Sequence, residues 1–262
     1  MAREKNLVLG AGKLFFDRFD ANGLNTGEFY IGNTTSLTYS SDEERQEHYS
    51  SDTAAREKDA SIVIRSDATI SFTTDDIQPE NLAMVFKGTA EALAIIADPV
   101  TVENIVVQRG RWYQLGVDAV HPTGARLITM TTLTDDAGPP VAVPGGNGGA
   151  NYEVNLALGR LYIKEDAPNV ADGDVLIATF AIAASSRSVV ISAGEQITGA
   201  LRYLADNTTG PNIDHFFPKV DISPDGDYEF KGDDWNEMSF SGEVLTKGIL
   251  AKHYADGRAV AA

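Results

Sequence analysis

The sequence predicts a mainly β protein: a sandwich or barrel-like fold with one flanking helix and a long polar arm. Three observations carry this. Short apolar runs with a period of two recur along the whole chain. Turn chemistry separates them, as at Asn22-Gly23, Gln108-Arg109-Gly110, Asp172-Gly173-Asp174 and Pro224-Asp225-Gly226-Asp227. Helical spacing is confined to one stretch, 75–97.

Lys13–Phe19 and Glu28–Gly32 read as a hairpin across DANGLNTG, and Ser36–Ser40 as a short third strand. The arm follows, residues 40–60, charged and small, with almost nothing to bury. A loop of that length is uncommon inside a compact domain and usually has a task. From composition alone we expect it to dock on another copy of the chain, with its charges paired between subunits. Ser61–Phe72 then alternates: Ile62, Ile64, Ala68, Ile70 and Phe72 fall to one side, Arg65, Asp67, Thr69 and Ser71 to the other.

The helical segment starts with Thr74 or Asp75 as cap, Pro79 in the first turn and Glu80 near the positive end. Leu82, Val85 and Phe86 share a face, Lys87-Gly88 ends this piece, and Thr89–Ile96 reads as a second short helix. Thr101–Val107 and Arg111–Val117 read as a hairpin, and Leu127–Leu133 as a strand. Pro144–Gly149, in the loop 135–150, reads as a Gly-rich hairpin tip, and Tyr152–Leu158 pairs with Gly159–Lys164. Val175–Ala184, Arg187–Ser192, Gln196–Leu204 and Phe216–Ser223 are further strands, the last with Pro218 marking an edge or a bulge. Trp235–Val244 turns Met238, Phe240 and Val244 inward and Glu237 and Glu243 outward, and the tail after Lys247 is expected to fray. No internal repeat and no linker longer than a loop is visible, so residues 1–262 read as a single domain.

Composition excludes several classes of function. Lys and Arg number 21 against 38 Asp and Glu, a formal charge of −17. Such a surface does not grip nucleic acid by its phosphates, because that grip is built from Lys and Arg. It is compatible with nucleic acid sliding past, and its plain reading is solubility. The absence of cysteine excludes disulfides, Cys-ligated zinc and thiol catalysis. MAREKNLVLGAGKLFF does not read as a signal peptide, and no run reaches the roughly 18 apolar residues of a membrane span. Assembly in a cytoplasm, without membrane partners, is the expectation.

No stretch carries a chemical signature. Gly10-Ala11-Gly12-Lys13 lacks the spacing of a phosphate loop and leads into a strand. Aligning Gly23 with a calcium-loop glycine puts Arg18 and Phe29 at ligand positions, where neither can serve. His48, His121, His215 and His253 form no helical metal pair, and no G-x-S-x-G is present. No cofactor, metal or enzymatic activity is therefore expected. Trp112-Tyr113 and Trp235 could offer stacking faces but read first as core or interface.

An ordered set of stretches resembles the tail tube (major tail) proteins of long-tailed bacteriophages. GKLFFDRFDANGLNTGEFYIGN resembles their opening hairpin, EHYSSDTAAREKDASI the polar arm, and SFTTDDIQPENLAMVFKG the start of the helix. GRWYQLG, YEVNLALGRLYI, ALRYLADNTTGPNIDHFFPKV and DWNEMSFSGEVL complete the series over nearly the whole chain. The resemblance implies a virion subunit forming hexameric rings that stack into a hollow tube for the viral genome. It implies partners in the tail-tip, tape-measure and tail-terminator proteins, and double-stranded DNA that passes without specific binding. The arm residues Glu43, Glu44, Arg45, Glu47, His48, Tyr49, Arg56, Glu57, Lys58 and Asp59 would reach the neighbouring ring. Candidate lumen residues are Asp67, Thr69, Ser71, Asp221, Glu237 and Glu243, each equally readable as plain exterior surface. Arg65 and Arg202 sit awkwardly in such a lumen unless paired with acids or facing a subunit contact. The rival readings are a carbohydrate-binding or adhesin-like β module using Trp112 and Trp235, and a hydrolase using Glu237 and Glu243.

Overall fold

The computed structural model describes residues 7–52, 54–146 and 148–259, so the first six residues of the N-terminal run read above lie outside it. In chain order the elements are β1 (Gly12–Arg18), β2 (Phe29–Tyr30), β3 (Thr34–Tyr49), β4 (Lys58–Thr74), α1 (Pro79–Val85), β5 (Gly88–Ile95), β6 (Asp98–Val106), β7 (Arg111–Gln114), β8 (Ile128–Asp135), β9 (Tyr152–Asn155), β10 (Arg160–Ile163), β11 (Val175–Ile182), β12 (Ser185–Ser192), β13 (Ile197–Ala205), β14 (Ile213–Pro224), β15 (Met238–Val244) and β16 (Tyr254–Gly257). The protein is mainly β, with antiparallel sheets and one seven-residue helix among the described residues. Where the sequence reads as one domain, the chain divides into two compact units, one of residues 1–91 and 189–262, the other of 92–188. Each has its own apolar core.

The first unit is built on an eight-stranded sheet of order β2-β1-β13-β14-β15-β4-β3, with β16 added to β14. One face is apolar: Phe16, Ile70, Phe72, Leu201, Val220 and Phe240 are all buried. Phe72 and Phe240 lie opposite each other in the register and stack at 5.1 Å. Pro218 falls where the β13–β14 register shifts between Gly199 and Leu201, so it marks a bulge in a central strand rather than an edge. The tail does not fray after Lys247: β16 pairs with Ile213–Phe216 and continues the line of β15 along β14.

The helix is shorter than the spacing predicts. Thr74 belongs to β4, Gln78 is the cap, and Thr89–Ile95 lies in strand β5, paired with β12. Local propensity loses here to tertiary pairing. Lys87 takes φ +49, which ends the helix, and a Cβ at Gly88 would lie 1.8 Å from the Ile191 carbonyl oxygen. Asn81 fixes α1 instead of a side-chain cap, its Nδ2 donating to the carbonyls of Ile31 (2.6 Å) and Asp76 (2.9 Å).

The second unit contains two three-stranded sheets, β7-β10-β9 and β6-β11-β8, around Val107, Leu115, Leu133, Leu161, Ile163, Leu176 and Phe180. The expected hairpin of 101–117 is therefore corrected: its halves enter different sheets, because the turn at Gly110 directs β7 onto β10, with Gly110 N–H donating to Ile163 O at 2.9 Å. The β9–β10 hairpin is as expected. The loop 135–150 is not a hairpin tip either, since β8 pairs with β11 and β9 with β10. It folds back on Asp135, whose Oδ1 accepts from Val141 N–H at 2.7 Å.

Candidate functional site

The arm is a ribbon rather than an irregular loop. β3 and β4 pair from Thr34↔Thr74 out to Tyr49↔Lys58, with register shifts at Glu44/Arg45 and His48/Tyr49. β15 accompanies β4 only over Thr69–Thr74. Beyond that, Ser41–Tyr49 and Lys58–Ala68 form a two-stranded hairpin, which at the rise of a β-strand extends about 30 Å.

Composition pointed to charges held for another subunit, and that expectation is corrected in part, because many pair within the ribbon. Arg45 meets Glu43 at 2.6 Å, His48 meets Asp59 at 2.5 Å, and Lys58 meets Glu47. Tyr49 Oη donates to Glu47 at 2.6 Å. The Lys58 and Tyr49 hydrogen bonds hold Glu47 below the usual carboxylate range, and the same bond raises the Tyr49 phenol. Period-two pairing explains this: residues two apart on a strand, or opposite across it, share a face. Glu44, Arg56 and Glu57 are in no ion pair among the described residues. Beside these charges the ribbon leaves an apolar group open. Ile62, Val63 and Ile64 are 62%, 45% and 53% exposed, and Ile64 sits at the Glu44/Arg45 register shift.

The polar face of the eight-stranded sheet gathers five of the six wet-face residues picked out in the sequence. The register lines up Thr198, Asp221, Glu243, Thr69 and Ser40 in one row across five strands. The next row is Ser223, Ser241, Ser71 and Thr38, and the next Ser239, Thr73 and Ser36. Asp67 faces Asp42 one step out along the ribbon. Glu237 is exposed but precedes β15 and joins no row. Hydroxyls dominate the face and bond across strands: Thr38 Oγ1 and Ser71 Oγ at 2.8 Å, Thr73 Oγ1 and Ser239 Oγ at 3.0 Å. Ser71 and Ser239 read as outward-facing from the sequence; their partners Thr38 and Thr73 did not, although alternation with Leu37 and Phe72 was the signal available.

Two acidic pairs stand directly opposite, Asp221 with Glu243 and Asp42 with Asp67, an arrangement that disfavours the folded chain by itself. Gln196 Nε2 donates to Asp221 Oδ2, and Arg65 holds Asp67 at 2.6 Å. Arg202 is likewise paired, with Glu28 at 2.7 Å, and lies over the Phe216 ring at 4.3 Å. Neither awkward arginine is left as a bare cation.

The base of the ribbon is held by residues 245–253, which the chain inserts between β15 and β16. Lys252 Nζ donates to Ser66 O at 3.1 Å, and the His253 ring stacks on Tyr39 and Phe217 at 5.7 and 4.6 Å. His253 Nε2 is also 2.9 Å from His215 Nδ1. Sequence spacing did not join these two histidines, because β14 and the insertion are brought together only by the sheet.

Other candidates remain separate. Trp235 is 94% exposed in the first unit and Trp112 half-exposed in the second. Among the described residues no three His, Asp or Glu side chains gather as metal ligands, and no helix is long and apolar enough to cross a membrane.

No curated protein matches the chain in sequence. The family model described as "Protein of unknown function UCP028589" matches residues 7–248, nearly the whole length, and the chain belongs to that family.

Proposed function

We propose that this protein is the structural subunit of a bacteriophage tail tube, forming stacked, hexameric rings around a passage for the viral genome. The observation that carries the reading is that one pair of strands does two things. β3 and β4 supply part of a hydroxyl and carboxylate face, then run on together as a projecting ribbon with three exposed β-branched residues.

In this reading the polar face lines the lumen. Its acids and hydroxyls give passing DNA no ladder of Lys and Arg, so affinity stays low. The ribbon docks on the adjacent ring through Ile62, Val63 and Ile64, since many of its charges are already matched within the chain. Burying those three side chains contributes about 1.5 kcal/mol or more each, repeated at every subunit. The same reading makes the protein a virion component with no enzymatic activity, whose partners are further copies of itself and the proteins that start, measure and end the tail.

Negative-stain microscopy of the concentrated protein tests this directly. Rings or hollow tubes are expected. Replacing Glu43–Ser66, both strands of the ribbon, by a short turn should leave a folded subunit that no longer stacks. Saturable binding on a glycan array without polymers at any concentration would instead favour a carbohydrate-binding module.

A further inference from the structure

The second unit gathers cations that form no ion pair among the described residues. Three arginines converge on the turn at 123–125 and the neighbouring Leu158-Gly159 turn. Arg126 Nη1 donates to the carbonyls of Thr123 (3.0 Å), Ala125 (3.1 Å) and Leu158 (2.9 Å). Arg187 Nη2 donates to Thr123 Oγ1 and Gly124 O, both at 3.0 Å. Arg160 follows directly on Gly159, and its guanidinium lies 5.0 Å from the centre of the Trp112 ring. Gln114 Nε2 ties the two turns together, donating to Ala125 O at 3.1 Å and Gly159 O at 3.0 Å.

Every acceptor these arginines use is a neutral oxygen, and none of the three is in an ion pair among the described residues. Among the described residues no carboxylate oxygen lies within 4 Å of their guanidinium nitrogens. Donors are left over. Among the described residues the Arg160 side chain makes no hydrogen bond, Arg126 uses neither Nε nor Nη2, and Arg187 Nη1 is buried without a partner. Burial and the charges of Arg187 and Arg160 together push the Arg126 guanidinium down from its ordinary value, which is the mark of charges held close. Positive groups held together by a rigid frame, with unused planar donor forks, match an oxyanion that accepts two bonds from each fork.

We propose that Arg126, Arg160 and Arg187 form a binding site for a phosphate-class oxyanion. Arg160 and the free edge of Arg126 make the direct contacts, and Arg187 adds charge from behind. A dianion is favoured over a single carboxylate because three positive charges are otherwise left two in excess.

Isothermal titration of the full chain with inorganic phosphate, at constant ionic strength set by chloride, tests the site. Saturable binding with one phosphate per chain is expected. Arg160→Gln should weaken it at least about tenfold, the loss of one charge-assisted contact. Arg160 is exposed and supports no fold contact beyond Trp112, so this variant stays folded, which circular dichroism checks. Arg126→Gln should weaken binding as much. Arg109→Gln, on an exposed arginine paired with Asp172, should leave it unchanged. Heat of dilution alone, equal affinity in R160Q, an equal loss in R109Q, or acetate binding as tightly as phosphate would each overturn the proposal.

Discussion

His215 Nδ1 and His253 Nε2 lie 2.9 Å apart with their rings within 8° of parallel, so one nitrogen donates and the other accepts. The pair keeps its hydrogen bond only while at least one of the two facing nitrogens is unprotonated. Burial, and then the charge of His215, hold His253 below its ordinary value of 6.5. The unfolded chain therefore takes up the proton first. The stability contributed by the pair is whole above about pH 6.5 and is lost as pH falls through the lower folded value. Amide exchange at Tyr254–Gly257 should accelerate between about pH 7 and pH 5, relative to amides of β1 and β13, after correction for intrinsic exchange. His253→Phe should flatten that difference. An unchanged ratio in the wild type would show that the pair does not hold the strand.

Asp17 is buried, which raises its pKa, yet the Asn25 amide, the N–H groups of Gly27 and Thr26 and the nearby Lys247 bring it below 3.8. Its carboxylate closes the whole 18–28 loop from one point, with Asn25 Nδ2 at 2.6 Å and both N–H groups at 2.9 Å. Asp17→Ala leaves those donors without their acceptor and should cost about 2–4 kcal/mol in urea unfolding. A loss under about 0.5 kcal/mol would mean that water replaces the carboxylate fully.

Phe240 and Phe72 fill the centre of the first core from adjacent strands. Phe240→Ala should destabilise the first unit by about 3–5 kcal/mol. Amide exchange reports the two units separately, at the buried Leu201 of the first and Leu161 of the second, and can show which unit unfolds.

Gly88 admits no side chain because a Cβ meets the Ile191 carbonyl at 1.8 Å, and backbone cannot rotate away. Gly88→Ala should cost about 1–3 kcal/mol, the scale of an overpacked site. Exchange of the Ala193 and Glu195 amides, both bonded to Lys87 O, should rise with it.

The three exposed residues of the ribbon give the sharpest test of assembly. Replacing Ile62, Val63 and Ile64 by Thr keeps the β-branched backbone preference while adding polarity. Monomer stability should move by no more than about 0.5 kcal/mol per site, while sedimentation should show loss of any polymer. Polymers of unchanged length would place the stacking contact elsewhere.

Most strands were legible because alternation is local: Ile70 and Phe72 against Thr69 and Ser71 state a two-sided strand without any partner. The polar face was legible for the same reason, in five residues that the register then aligned. What could not be read was pairing at a distance. TAEALAII carries helix-forming residues, and only the strand around Ile191 decides otherwise. The arm was legible as polar but not as a ladder, because Glu47 finds Lys58 and His48 finds Asp59 only once the turn between them closes. His215 with His253, and the three arginines of the second unit, depend on sheet order, which composition does not encode.

The ladder of β3 and β4 also gives the chain a kind of parity. Because side chains alternate sides at every residue, a single residue inserted within β4 between Ser61 and Asp67 would turn the tip over relative to the row of Thr69, Glu243 and Asp221, unless a bulge absorbed it. Two residues added to each strand would lengthen the ribbon by about 7 Å and leave every face as it was. Insertions at the turn, 51–56, carry no such rule. Length variation along this ribbon should therefore come in twos within the strands and in any number at the turn.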